Sequence, residues 1–485
     1  MLFNSFEFIF LFLPIVLVVY FILAGKHKHH LSIFWLVAAS LFFYSWWNPI
    51  YSILIIGSMA FNYGIGKWMN RIEDEPFRKK LLIFGIVGNV GLLGYFKYAD
   101  FFIKNINFAF DANISLLHLM LPLAISFFTF QQIAYLVDTY RHETKEYNFL
   151  TYSLFVTFFP QLIAGPIVHH KEMMPQFAAD DNKRLNIENV ALGCYIFIIG
   201  LAKKVAIADT MAIWANDGFQ SYTALTSAEA WITSLAYTMQ LYFDFSGYCD
   251  MAIGIALLFN IKLPINFNSP YKSRNIQDFW RRWHMTLGRF LTQYIYIPLG
   301  GNRKGEMRTY FNIFAIFAIS GFWHGAGWTF IIWGVMHGVA SIICRAWGKL
   351  NIQLPYLVSW FITFQFVNVA WVFFRAETVG QAVVILKKMF IFDFSSVTQL
   401  AQKPLPFQTA TSFDFGWFTM NDPIVVLLFI GFFLFMSFVY KNSIEMLEGF
   451  QPKWTTVAWA QLAILFVLIS VFYLHKNSEF LYFNF

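Results

Sequence analysis

Two histidines in a strongly apolar chain are the residues best placed to do chemistry. His324 lies in Ser320-Gly321-Phe322-Trp323-His324-Gly325-Ala326-Gly327-Trp328, with long apolar segments on both sides. His284 lies forty residues upstream, in Phe279-Trp280-Arg281-Arg282-Trp283-His284-Met285. Imidazole is the side chain best suited to taking a proton near neutral pH. An ionisable group inside a bilayer is costly, so it carries a function or a hidden partner. Around His324, three glycines remove bulk and let a backbone or substrate approach. Trp323 and Trp328 can wall a narrow cavity, and the apolar setting favours the neutral, proton-accepting imidazole. The bland alternative is a core histidine satisfied by a neighbouring carbonyl or hydroxyl.

Other polar residues carry weaker signals. Arg281, Arg282 and Arg289 suit either cytoplasmic interface anchoring or contact with phosphates, which the planar guanidinium fork fits. Trp280 and Trp283 flank them. Asp244 and Asp250 sit beside an apolar segment in Tyr242-Phe243-Asp244-Phe245-Ser246-Gly247-Tyr248-Cys249-Asp250. Six residues apart, they do not share one helix face, and Gly247 is a candidate break between them. They read as intramembrane functional carboxylates or as partners of backbone groups at a broken helix. Gln131, Gln132, Tyr135 and Asp138 form a polar edge at a span end. Gln161 and Pro166 belong to a Pro- and Gly-interrupted stretch, and non-helical backbone at depth must be buried in protein or line a cavity. This stretch is expected to line a pore, together with Asp244, Ser246, Trp323 and Asn302 as pore-lining or structural polar groups.

The elements that position these residues must be membrane helices. The chain has 485 residues, 58% hydrophobic and 13% charged, with 61 phenylalanines. Soluble domains carry roughly a quarter charged residues. Apolar runs near 20 residues recur throughout, the length that crosses the hydrocarbon core as a helix. Candidate spans are 6–24, 31–48, 50–67, 80–97, 115–136, 148–165, 190–212, 228–245, 247–261, 309–323, 326–346, 355–374, 422–440 and 456–474. A β-barrel is disfavoured, because period-2 alternation is missing. The first run has no preceding cation, so it reads as a retained span and not a removed signal peptide.

Basic and non-basic loops alternate early in the chain. Lys26 and Lys28 follow the first span, and Arg71, Arg78, Lys79 and Lys80 follow the third. This places the N-terminus outside and the basic loops in the cytoplasm. The net charge of +7 therefore reads as positive-inside loops and not as a nucleic-acid surface. Cys194, Cys249 and Cys344 lie far apart and read as small buried hydrophobes, with no metal-ligand spacing. No metal and no permanently bound cofactor is expected. The chain reads as a single multi-span membrane domain over 1–485, made of N-terminal spans (1–147), a core (148–346) with the polar segment 262–310, and C-terminal spans (347–485) with a loop at 392–421.

The segment 262–310 has helical periodicity in place of a continuous apolar run. Apolar residues at 276, 279, 280, 283, 287, 290, 291 and 294 make one stripe, after the N-cap signal Asn275-Ile276-Gln277-Asp278. One amphipathic helix at the cytoplasmic interface is predicted, arginines in water and His284 at the stripe's edge. Known nucleophile elbows, nucleotide loops and HExxH motifs are missing.

These motifs together resemble the membrane-bound O-acyltransferases, and most closely their bacterial alginate O-acetylation branch. Peptidoglycan O-acetylating and D-alanyl-transferring branches are similar. The carrying segments are Gln161–Pro166, Tyr242–Tyr248, Asp278–Leu287, Tyr296–Asn302, Gly321–Gly325 and Trp371–Glu377, with Leu2–Phe8 and Phe480–Phe485 at the ends. Nearly the whole chain is covered, and neither histidine departs from the pattern. The resemblance implies an all-α helical disc with a central funnel or tunnel. It implies an essential histidine at His324 and a second at His284. It also implies a cytosolic thioester donor, acetyl-CoA, and delivery of acetyl to an extracytoplasmic polysaccharide such as alginate, through a periplasmic partner transferase, in a bacterial inner membrane. On that reading His324 is a general base, His284 positions the donor, and Arg281 and Arg282, with Trp280 and Trp283, bind it. The competing class is a transporter or flippase without acyl chemistry; no paired intramembrane charges are visible in the sequence to support it.

Overall fold

A computed structural model describes residues 1–144, 148–391, 423–474 and 480–481. The loop expected at 392–421 lies outside them, as do the last four residues of the terminal motif. Among the described residues every regular element is helical. Seven helices are long and apolar enough to cross a membrane: Phe8–Gly25, Glu75–Phe110, Ile187–Gln220, Ser227–Leu258, Trp328–Leu350, Tyr356–Arg375 and Trp454–Val471. The protein is an all-α polytopic membrane protein.

The chain forms two compact units, one of residues 1–197 and 251–264, the other of 198–250 and 265–482. The first unit contains α1 (Leu13–Gly25), α2 (His29–Ser45), α3 (Ile50–Asn70), α4 (Glu75–Leu93), α5 (Ala99–Phe110), α6 (Ile125–Tyr140), α7 (Phe149–Thr157), α8 (Phe159–Leu162) and α9 (His170–Ala178). Phe8, Phe12, Phe43 and Phe159 pack edge to face and tilted in its core. Its helices are also joined by a buried amide cluster. Asn62 Nδ2 donates to Asn89 Oδ1 (3.1 Å) and Gln132 Oε1 (2.7 Å), and Asn89 Nδ2 returns a bond to Asn62 Oδ1 (2.6 Å). Gln132 Nε2 donates to Ser58 Oγ (2.9 Å), and the Tyr152 hydroxyl donates to Gln132 Oε1 (3.3 Å). Such bonds join helices in lipid, where apolar contact gives little drive.

Several sequence expectations change here. The span 115–136 begins as irregular chain, and α6 starts only at Ile125. The span 148–165 is broken: α7 has nine residues and stops at Phe158, whose ψ of 107° turns the chain before Pro160. Nine helical residues rise about 14 Å, half the hydrocarbon thickness. Arg78, expected in a basic loop, is 1% exposed and donates to the carbonyls of Thr139 (3.2 Å) and Tyr140 (3.0 Å). It satisfies acceptors that the end of α6 leaves open.

The second unit carries the histidines. It is built on α11 (Asp209–Gln220), α13 (Ile276–Arg282), α14 (Met285–Leu291), α15 (Glu306–His324), α16 (Trp328–Trp347), α17 (Tyr356–Arg375), α18 (Val379–Phe390), α19 (Pro423–Val439), α20 (Ser443–Glu448) and α21 (Trp454–Leu474). The unit boundary falls inside α10 (Ile187–Ala202) and α12 (Ser227–Leu258). The two spans read at 228–245 and 247–261 are one helix, α12, of 32 residues. Gly247 does not break it. A Cβ there would stand 2.8 Å from the carbonyl of Gly200, so glycine lets a neighbouring backbone close in. Of the three cysteines only Cys249 is buried; Cys194 is exposed and Cys344 half-buried.

Candidate active site

His324 is the last residue of α15, 2% exposed. Helix α15 turns at Gly325 and returns as α16, and the two pack closely. A Cβ on Gly321 would lie 2.5 Å from the Phe330 carbonyl and 2.9 Å from Gly334 Cα, so only glycine permits this approach. Helix α17 closes the third side. Asn368 Oδ1 on α17 accepts from Ser234 Oγ (3.0 Å) and Thr238 Oγ1 (2.6 Å) on α12, and α17 presents Trp371 and Phe374. The His324 ring meets Trp323 at 4.9 Å, Trp333 at 5.1 Å and Phe374 at 5.1 Å between centroids. The imidazole is walled by aromatic rings. Trp328, expected among them, is 56% exposed, unlike these buried rings.

His284 departs most from its prediction. The expected single helix over 276–294 is two short helices, α13 and α14, broken at Trp283 and His284. His284 takes the left-handed conformation, φ 45° and ψ 51°, which histidine adopts more readily than most side chains but at a cost of about 1–2 kcal/mol. The reversal turns His284 inward, 1% exposed, in place of the edge of an interfacial stripe. Asn266 holds it. Asn266 Oδ1 accepts from Thr286 N (3.2 Å) and Thr286 Oγ1 (2.9 Å), and lies 3.1 Å from His284 Nδ1. An amide oxygen already acting as acceptor requires the hydrogen on Nδ1, which leaves Nε2 with the lone pair. Burial pushes the His284 imidazole down to about 3, so the ring stays neutral across physiological pH.

Trp323 is the ring the two histidines share: its centroid is 6.4 Å from His284 and 4.9 Å from His324. Phe245 of α12 packs edge-on against His284 at 4.8 Å, and Phe480 lies 4.4 Å from Tyr248 and 6.1 Å from Phe245.

The other expected residues separate into groups. Arg281 is exposed, whereas the Arg282 guanidinium binds Asp278 (2.9 Å) and the Asn268 carbonyl (3.3 Å). Both border a cleft of about 620 Å³ lined by Lys272, Arg274, Asn275, Asp278 and Tyr356 as well. Trp283 is a core residue, against Phe267 and Trp371 at 5.0 Å. Ser246 is buried in α12. Asn302 is exposed in a turn that Asn312 Nδ2 fixes by donating to the Gly301 carbonyl (2.8 Å), away from the histidines' wall. Gln161 and Pro166 are buried in the other unit, where Gln161 Nε2 donates to the Phe155 carbonyl (2.7 Å).

Asp244 and Asp250 each have a lysine partner that the sequence reading missed, Lys204 buried and Lys203 half-buried. Lys204 Nζ is 2.7 Å from Asp244 and 2.8 Å from Asp209; Lys203 Nζ is 2.6 Å from Asp250. The two lysines are adjacent at the start of a π-helical turn, Lys203–Ala208, and reach separate carboxylates of α12. The Leu481 amide also donates to Asp244 (2.9 Å). These carboxylates are therefore structural charge partners. The larger omission is His337 on α16, 0% exposed, whose Nδ1 accepts from Trp280 Nε1 (3.2 Å) and whose ring meets Trp333 at 4.8 Å. A histidine one turn after a tryptophan, within Trp333-Gly334-Val335-Met336-His337-Gly338, was the available signal.

The sequence profile of the MBOAT, membrane-bound O-acyltransferase family, matches residues 139–381. A peptidoglycan O-acetyltransferase of Helicobacter pylori is 48% identical over 100% of this chain and 98% of its own length. The probable alginate O-acetylase AlgI of Pseudomonas putida is 38% identical, covering 100% of both chains. The teichoic acid D-alanyltransferase of Bacillus subtilis is 29% identical over 49% of this chain and 62% of its own. The paired lysines and aspartates could have favoured a transporter, but the match spans the histidine-bearing helices themselves. The chain belongs to the membrane-bound O-acyltransferase family and is an O-acyltransferase.

Proposed function

We propose that the protein takes acetyl from a cytosolic thioester, acetyl-CoA, and sends it to hydroxyls of an extracytoplasmic glycan. The observation that carries this reading is the pair of buried histidines sharing Trp323 inside an aromatic wall. His324 is the general base: it takes the acceptor hydroxyl's proton as the new O–acyl bond forms. The C–S bond then breaks, and the leaving thiolate recovers that proton. General base catalysis of this kind is worth about 10²–10⁴-fold. The rings exclude water, which limits hydrolysis of the thioester. His284, a neutral imidazole held by Asn266, orients a reactant and does not deprotonate it. The cleft bearing Lys272, Arg274, Arg281 and Arg282 supplies cations for donor phosphates.

Peptidoglycan is the favoured acceptor, because the relative named for it is 48% identical over the full chain, against 38% for the alginate relative. Alginate is the second reading. A periplasmic transferase is the expected partner, in a bacterial inner membrane with the N-terminus outside. Acetyl-labelled donor given to purified protein tests the reaction, and mass spectrometry of peptidoglycan and exopolysaccharide from a deletion strain tests the acceptor. Peptidoglycan that keeps full acetylation in the deletion strain would overturn the favoured acceptor.

A further inference from the structure

Helix α16 has a buried ridge whose polar atoms the reaction as described does not use. Trp333, His337 and Ser341 follow one another at intervals of four residues and are 0%, 0% and 3% exposed. Residues so spaced share a helix face. Trp333 Nε1, His337 Nε2 and Ser341 Oγ are each buried and meet no hydrogen-bond partner among the described residues. Buried polar atoms in native proteins are almost always satisfied, so three in a row along one ridge require an explanation.

The tautomer of His337 is set by its neighbour. Indole nitrogen is only a donor, so His337 Nδ1 accepts from Trp280, and in the neutral ring the hydrogen sits on Nε2. The ridge therefore offers two N–H donors and a hydroxyl. It starts at the catalytic centre, since Trp333 meets the His324 ring at 5.1 Å. The next residue in the series is Arg345, partly exposed and bound with Lys349 to Glu306. The ridge thus runs from the proposed base to a basic helix end, which the positive-inside rule assigns to the cytoplasm.

We propose that this ridge is the wall along which the amide-bearing arm of the thioester donor lies, with His337 Nε2–H donating to an amide carbonyl of that arm. The assignment rests on the acetyltransfer reading above. The chemistry matches: an acyl-pantetheine arm is narrow, largely apolar, and carries amides at intervals behind the thioester sulfur. Its carbonyls are the acceptors that a line of buried donors lacks. A free phosphate or a lipid chain offers no such series. His337 is here a specificity-determining residue, one tryptophan away from His324.

The test measures kcat/KM of wild type, His337→Phe and His337→Gln with three donors: acetyl-CoA, S-acetylpantetheine and S-acetyl-2-mercaptoethanol, which has no amide. For His337→Phe, a roughly 10- to 100-fold loss is expected with the first two donors, the size set by one buried hydrogen bond. With the amide-free thioester the change stays within about twofold, because no carbonyl is there to lose its partner. His337→Gln keeps an N–H donor and an acceptor for Trp280, and restores most of the loss. An equal fractional loss on all three donors would show a packing role and overturn the proposal. So would no loss on any donor, which would mean that ordered water fills the ridge. A wild-type protein that consumes none of the thioesters overturns the acetyltransfer reading itself, and this assignment with it.

Discussion

Two buried polar regions of this molecule differ in one respect. In the first unit, Asn62, Asn89 and Gln132 sit at 0–2% exposure, and their amides bond one another, Ser58 and Tyr152. In the second unit, the α16 ridge is as deeply buried, yet Trp333 Nε1, His337 Nε2 and Ser341 Oγ have no partner among the described residues. A closed network is a device for joining helices in lipid. An open row of donors leaves a desolvation cost uncompensated until something else supplies acceptors. Burial alone therefore does not distinguish these two regions; the state of their hydrogen bonds does.

That contrast can be broken by substitution. The largest effect is expected at the head of the open ridge. His324→Ala should lower acetyl transfer by about 10²–10⁴-fold while the thermal melt in detergent stays close to wild type. A folded His324→Ala protein with the wild-type rate would remove the base assignment. In the closed network the effect should fall on stability. Asn62→Ala leaves Asn89 and Gln132 short of partners and should cost about 1–3 kcal/mol, read as a lowered melting temperature with the rate per folded molecule unchanged. If it changes the rate and not the melt, the amide cluster is no mere fastener.

His284 gives a pH-dependent version of the same idea. Burial holds its folded value at about 3, below the 6.5 of a free imidazole. A depressed value makes the folded state stable above the unfolded value, and that contribution is lost as pH falls from 6.5 towards 3. Between pH 7 and 5.5 wild type should lose about 1 kcal/mol that His284→Gln does not. Parallel melt-versus-pH curves for the two proteins would contradict this. The smallest effect belongs to Ser341→Ala. No protein hydrogen bond is broken there, so stability should move by no more than about 0.5 kcal/mol. A loss as large as that of Asn62→Ala would mean the ridge is closed after all.

Much of the fold was legible because membrane helices announce themselves by length and hydropathy, as for Phe8–Gly25 and Tyr356–Arg375. Failures came where the chain leaves that pattern. The periodicity over 276–294 is genuine, but periodicity carries no information about a left-handed residue, and φ 45° at His284 splits the stripe into two helices. Gly247 looked like a break because glycine serves both to end helices and to let them touch; only the nearby Gly200 carbonyl shows which. Lys203 and Lys204 drew no notice in the sequence, since their carboxylate partners are up to 47 residues away.

The sequence by itself determined the membrane class, the family resemblance and His324 as the first candidate. These follow from local quantities: composition, run length and a short motif. Tertiary structure alone decided that His284 faces inward on Asn266, that Trp323 is common to both histidines, and that His337 stands behind Trp333 with a donor to spare. Those are facts about distance between residues far apart in the chain, and hydrogen-bond satisfaction is a property of neighbours in space.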